Sequence, residues 1–145
     1  MEIYSIGFTQ KSASDFFGTL KANGIERLLD VRLNNTSQLA GFAKQSDLPY
    51  FLREICRAAY EHEPLLAPTQ EILDAFKKHK GSWDAYTETY LALIRSRKVE
   101  SALSQDSFRK KTVLLCSEPT AEHCHRRLAL EYLQQHWNDV VISHL

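Results

Sequence analysis

Val113-Leu-Leu-Cys-Ser-Glu-Pro-Thr-Ala-Glu-His-Cys-His-Arg-Arg127 is an apolar run that ends in Cys116 and Glu118 and then passes into a polar stretch carrying Cys124, His125 and Arg126. A buried strand that stops at a thiol and a carboxylate and leads into a helix has the layout of a ligand site at the carboxyl edge of a parallel sheet. There the first-turn amides of the helix point at whatever is bound. The helix is expected from near Thr120 to Trp137.

Working outward, the hydrophobic periods alternate between two and 3.6. Ile3-Tyr-Ser-Ile6 reads as a strand stopped by Gly7. Ser12 or Ser14 then caps an amphipathic helix through Phe16, Phe17, Leu20 and Lys21, ended by Asn23-Gly24. Leu28-Leu-Asp-Val-Arg32 is a second strand, so the first thirty residues form a crossover unit with parallel strands. Asn34 to Lys44 reads as a long polar loop, Tyr50 to Ala59 as a helix opened by Asp47-Leu-Pro49, and Tyr60 to Glu63 as a short strand before Pro64. Thr69 caps a helix to about Lys78. Ser82 opens another, with Trp83, Tyr86, Tyr90, Leu93 and Ile94 on one stripe. A short helix over Val99 to Leu103 and a last strand at Val140-Val-Ile142 complete the pattern, which is an α/β sandwich with a mostly parallel sheet of about four or five strands and helices on both faces.

Composition sets the frame for function. The 145 residues fit one domain, 1–145, and 18 basic against 18 acidic side chains leave no global field to draw the chain to nucleic acid or an anionic membrane. Three cysteines, an odd number, and no signal peptide predict a reducing, cytoplasmic setting without a disulfide framework. The apolar runs are too short to span a bilayer.

Three strands deliver polar residues to the carboxyl edge: Gly7 and Thr9 from the first, Asp30, Arg32 and the Asn34-Asn35 loop from the second, and Cys116, Ser117 and Glu118 from the fourth. Each residue admits two readings. Arg32 is an anion fork oriented by Asp30, or the two form an internal ion pair. Cys116 is a small core residue, or a thiolate favoured by the helix N-terminus and His125. Glu118 is a general base or the partner of the helix dipole, and Arg126 clasps a carboxylate or phosphate or covers an apolar face with its stem. For Cys124, helical spacing with Ala121, Leu128 and Tyr132 predicts a core-facing side chain, with His123 and His125 pointing elsewhere. With no second cysteine pair to complete a structural zinc site, no metal is expected, and no cofactor.

Spacing excludes several familiar sites. Glu122 stands where a phosphatase loop would need its arginine, and Gly7-Phe-Thr-Gln-Lys-Ser lacks the glycines of a dinucleotide turn. No nucleotide-hydrolase phosphate loop or zinc-deaminase signature is present. Pro119 and two acidic residues replace the small-residue cradle of a rhodanese-type persulfide carrier.

Ile3-Tyr-Ser-Ile-Gly-Phe-Thr9, Leu29-Asp-Val-Arg32 and Leu115-Cys-Ser-Glu118 followed by Cys124-His-Arg126 resemble, in order and separation, the three signature blocks of the domain of unknown function 488 family. The resemblance spans essentially the whole chain. It implies a Rossmann-like α/β fold and a bacterial or archaeal cytoplasmic protein, and it brings no established reaction. It also puts Asp30, Arg32, Cys116, Glu118, Cys124, His125 and Arg126 at the family's motif positions. Where the family's first block continues as Ile-Gly-His-Ser, this chain has Phe8-Thr9 after Gly7. Its loop Leu33-Asn-Asn-Thr-Ser-Gln38 is neutral where the family is basic.

Two functional classes follow. One is an enzyme or ligand site for an anionic small molecule or nucleotide-like ligand, with Arg32 and Arg126 holding the anion beside Thr9, Asp30 and Cys124, Cys116 as nucleophile, and His125 or Glu118 as base. The other is a non-catalytic nucleic-acid- or protein-binding module built on Arg95-Ser-Arg-Lys98 and Arg109-Lys-Lys111. Zero net charge and scattered aromatics disfavour nucleic acid as the partner.

Overall fold

Strand β1 (Glu2–Gly7) lies between two strands formed more than a hundred residues later, β4 (Thr112–Cys116) and β5 (Val141–His144). In this computed structural model, which describes residues 1–36 and 41–145, β2 (Arg27–Asp30) and β3 (Ala59–His62) complete one sheet in the order β3-β2-β4-β1-β5. Every pairing is parallel. The expected crossover therefore holds, but its two strands are not neighbours: β4 is inserted between them, in register Gly7 to Cys116 on one side and Asp30 to Leu115 on the other.

Right-handed crossovers decide which helix covers which face. Helix α1 (Ala13–Ala22) and helix α2 (Leu48–Phe51, prolonged by a π-type turn over Leu52–Cys56) carry the chain across one face from β1 to β2 to β3. Helices α3 (Gln70–Lys77), α4 (Trp83–Ser96) and α5 (Val99–Ala102) return over the other face to β4, and α6 (His125–His136) continues on that face to β5. Pleating separates the two cores. Tyr4, Ile6, Leu28, Val113 and Leu115 pack on Phe16, Phe17 and Leu20 of α1, whereas Ile3, Leu29, Leu114 and Cys116 pack on Tyr90 and Ile94 of α4 and Leu128 of α6.

The local punctuation matches the sequence. Ser12 is the α1 cap and accepts from the Asp15 amide, Thr69 accepts from Ile72 and Ser82 from Ala85. Asn23 closes α1, and Gly24 follows at φ +67°, a left-handed conformation in which a side chain would be strained.

Two boundaries differ from expectation. The helix expected to reach Ala59 ends at Cys56, because Arg57 adopts a left-handed conformation (φ 54°) and releases the chain into β3. The last helix starts at His125 rather than near Thr120. Carbonyls of the 117–124 segment are instead held by outside partners, Ser117 by the Thr9 amide and hydroxyl and Glu118 by Arg126. Of the polar loop expected over 34–44, residues 37–40 lie outside the described residues. Among the described residues no helix is long and apolar enough to cross a membrane.

Candidate active site at the carboxyl edge of the sheet

The helix after β1 runs to one face of the sheet and the helix after β4 to the other. The crevice at the carboxyl ends of this adjacent pair is the switch point at which open α/β sheets bind ligands. Here the chain's own 117–124 segment is strapped over β1. Thr9 donates to the Ser117 carbonyl from its backbone N–H (3.2 Å) and its Oγ1 (2.6 Å), and Lys11 Nζ reaches the Pro119 carbonyl at 3.4 Å. Gly7 permits the strap, since a Cβ there would sit 1.6 Å from the Glu118 carbonyl oxygen. Thr9 is thus an anchor of the strap.

Beside the strap, facing α3 and α4, is a cavity of about 270 Å³. Cys116, Cys124 and His125 reach it from the sheet edge, Tyr86 and Phe76 form an apolar wall, and Lys77 and Lys78 stand at its rim. The three sheet-edge groups are all buried, and their ligating atoms lie within 4.8 Å of one another.

Proton bookkeeping in this cluster follows from its hydrogen bonds. His125 Nε2 lies 2.8 Å from the Val31 carbonyl, which can only accept, so Nε2 carries a proton, and Cys116 Sγ lies beside the ring, 3.6 Å from Nδ1 and 3.9 Å from Nε2. The Cys116 thiol is held below its ordinary pKa. Hydrogen bonding from Cys124 is the largest cause; burial opposes it, and the Ser117 amide, the Arg126 charge and the Glu118 amide assist. Cys124 is pushed well up by the same interaction, so of the two thiols Cys116 is the one that gives up its proton more readily.

Arg126 is the cation behind this pair. Its fully buried guanidinium donates from Nε to Ser5 Oγ (3.1 Å) and from Nη1 to the Glu118 carbonyl (2.8 Å), and Nη2 has no partner. Among the described residues no carboxylate pairs with it. It neither covers an apolar face with its stem nor stands free to clasp a ligand at the surface; it is an internal cation behind Cys116 and the strap.

His125 corrects the sequence expectation that its ring points away from Cys124. That expectation assumed helical spacing from Thr120, but Cys124 is the extended N-cap of α6 (φ −137°, ψ 139°), so successive residues 124 and 125 turn inward together. His123 behaves as expected; it lies outside the cluster, stacked on Trp83 at 5.0 Å.

Of the remaining candidates, Arg32 and Glu118 line the cavity without joining this cluster. Arg32 forms a two-pronged pair with the fully buried Asp30, from Nε at 2.9 Å and Nη2 at 2.8 Å, while Nη2 also donates to the Ala43 carbonyl. Tyr60 donates to the same carboxylate at 2.6 Å, and the Arg32 guanidinium lies 5.2 Å from the Phe8 ring. This polar lock packs against Phe8 and Ala43, the core of the face opposite the Cys116 cluster, and it matches the internal-pair reading of Asp30 and Arg32. Arg32 itself borders the cavity, together with Leu33 and Asn34 of the loop that follows. Glu118 projects outward, with its carboxylate on Lys77 Nζ at 2.6 Å rather than at the α6 N-terminus.

The structure also brings in residues the sequence reading did not single out as site groups. Tyr86, Phe76 and Lys77 line the cavity, and Tyr90 sits 5.5 Å from the His125 ring while its hydroxyl donates to the Leu66 carbonyl at 2.7 Å. The regular spacing of Trp83, Tyr86 and Tyr90 on α4 was the available signal, and it marked a buried stripe without saying which part met the sheet edge.

A family model described as "Domain of unknown function DUF488" matches residues 12–133. The chain belongs to this family. The match includes Asp30, Arg32 and the whole 116–126 segment, whereas β1, with the Gly7 that admits the strap, precedes it. No curated protein and no solved structure matches the chain significantly.

Proposed function

We propose that the cavity is a ligand site for a small anionic, nucleotide-like molecule, and that the Cys116–Cys124–His125 cluster is the chemical centre its polar end meets. One observation carries this reading: three buried ionisable groups, one of them a thiol held below its ordinary pKa beside an internal arginine, open together onto a cavity at the switch point of the sheet. At about 270 Å³ the space lies at the lower end of small-molecule pockets, so it suits a base-sized or short acidic ligand and not a dinucleotide. Tyr86 and Phe76 offer faces for a flat ring. Lys77 and Lys78 stand at the rim paired with Glu118 and Asp74, so an anionic group would be held there by taking the place of those carboxylates.

The binding-module reading draws less support. Arg97 is engaged with the carbonyls of Pro64, Leu65 and Ala67, and Arg109 pairs with Asp106, so neither basic cluster is a set of free cations.

Ligand protection of the thiols tests the proposal. Adenosine monophosphate or inorganic phosphate is expected to slow alkylation of Cys116 saturably, with Cys56 as the internal reference. Lys77→Ala combined with Lys78→Ala should weaken that protection several-fold. Alkylation rates indifferent to phosphate and to every nucleoside monophosphate at millimolar concentration would refute it.

A further inference from the structure

We propose that Cys116, Cys124 and His125 form a zinc site whose fourth coordination position opens into the cavity. The argument is geometric. Zinc takes thiolate sulfur at about 2.3 Å and imidazole nitrogen at about 2.0–2.1 Å in tetrahedral array, which sets a sulfur-to-nitrogen edge of about 3.6 Å. Cys116 Sγ and His125 Nδ1 are 3.6 Å apart, and all three donor atoms fall within 4.8 Å of one another. Closing the cluster on an ion takes an adjustment of the Cys124 side chain and a turn of the His125 ring, because Cys116 Sγ, also 3.9 Å from Nε2, lies off the Nδ1 lone-pair axis.

The orientation of the imidazole is the second, independent observation. Metal-bound histidines characteristically donate their other ring N–H to a carbonyl or carboxylate, which fixes the tautomer and aims the lone pair. Here Nε2 meets the Val31 carbonyl at 2.8 Å, and the carbonyl is itself held in place because the Val31 amide is tied to Leu115 across β2 and β4. Nδ1 is left as the ring's open donor atom, 3.6 Å from Cys116 Sγ, and a turn of the ring about its Val31 anchor would bring its lone pair onto the ion.

Donor types and charge select the ion. Two thiolates and one neutral imidazole match zinc and disfavour magnesium or calcium, which take oxygen ligands. On binding, the two thiols release their protons to solvent as two Zn–S bonds form, the imidazole coordinates through Nδ1 without losing one, and no electron is transferred. The two sulfur charges cancel that of the ion, so the buried site is neutral. Arg126 then favours an anion at the open position. Structural zinc sites are closed by four protein ligands, whereas three with an open position is the catalytic arrangement. All three residues line the cavity, so water or the anionic end of a ligand would complete the tetrahedron. The inference rests on the proposed ligand site only for what enters that position.

The test uses the full-length chain made metal-free and titrated with cobalt(II) as a spectroscopic substitute, followed by zinc competition. One ion per chain is expected, with sulfur-to-cobalt charge-transfer bands, tetrahedral visible absorption, and both Cys116 and Cys124 protected from alkylation while Cys56 still reacts. Cys116→Ser and Cys124→Ser should each weaken zinc binding at least a hundredfold, His125→Gln tenfold or more, and Cys56→Ser not at all. Should the cysteine variants fail to fold, the cobalt spectrum and thiol protection of the unaltered chain decide alone. An octahedral spectrum without charge transfer, or zinc binding that leaves Cys116 reactive, overturns the site. The two proposals fail separately. Phosphate protection of Cys116 without zinc binding sinks the metal site alone, and zinc binding without any anion effect on the cobalt spectrum sinks the anionic-ligand reading.

Discussion

Replacing Gly7 by alanine should be among the most damaging small substitutions in this protein. The added Cβ would lie 1.6 Å from the Glu118 carbonyl oxygen, and an ordinary contact needs at least 3.4 Å, so the strap must move by about 1.8 Å. The obstacle is backbone, not the end of a flexible side chain. Displacing it separates the Glu118 carbonyl from Arg126 Nη1, a charge-assisted hydrogen bond of a fully buried cation, at a cost of about 1.5–3 kcal/mol. Overpacking at the sheet edge adds about 1–3 kcal/mol, for a total of about 2.5–6 kcal/mol, a large part of the roughly 5–15 kcal/mol that holds a domain folded. Gly18→Ala is the matched control. Nothing lies within 4 Å of a Cβ at that position, which is inside α1, so alanine should stabilise by about 0.5–1 kcal/mol. Urea unfolding of both variants, read by circular dichroism, measures the contrast. A Gly7→Ala protein within about 1 kcal/mol of the unaltered chain would show that the strap does not lie where the argument requires.

Asp30→Asn removes the charge that balances Arg32 in the interior while keeping its shape, and should cost about 3–5 kcal/mol by thermal or urea unfolding; a small change would mean that the lock is solvated. In the metal-free protein the pH at which Cys116 becomes half-reactive to iodoacetamide should lie below that of a free thiol and rise in Cys124→Ala, since Cys124 is its principal hydrogen-bond donor; an unchanged profile would assign the effect elsewhere. His144 is shifted down, chiefly by burial and then by the Arg126 charge, and its Nδ1 lies 2.6 Å from Ser5 Oγ, which itself accepts from Arg126 Nε. The unfolded chain thus takes up the proton first. Stability should fall as pH drops from about 6.5 through the lower folded value, and His144→Gln should flatten that segment of the stability profile.

Much of the fold is legible in the sequence because its signals are local. Ser12, Thr69 and Ser82 mark helix starts by side-chain chemistry, and the four apolar runs and the short polar stretch from Tyr60 are all strands. Less legible is anything decided by distant partners. The α6 start fails because carbonyls near Pro119 are satisfied by Thr9 and Arg126, more than a hundred residues before and eight residues after the strap's Ser117 and Glu118. That single boundary error also turned His125 the wrong way, since a helical face was extended over residues that are not helical. Asp30 and Arg32 stand at the right edge, but their pairing with each other and with the Ala43 carbonyl, a partner in a distant loop, keeps them out of the thiol cluster even though Arg32 borders the same cavity.

The strand order has a consequence for how this chain is made. Both β1 and β2 take β4 as a neighbour and never each other, so the only strand pair available before residue 112 emerges is β2 with β3. Synthesis runs at about 5–20 residues per second, so the apolar β1 waits several seconds without a partner. Its pairings then form across separations of more than a hundred residues, which slows folding. Nascent chains stalled short of β4 are left with Ile3, Tyr4 and Ile6 exposed, and they are the species from which a ribosome-bound chaperone has most to protect.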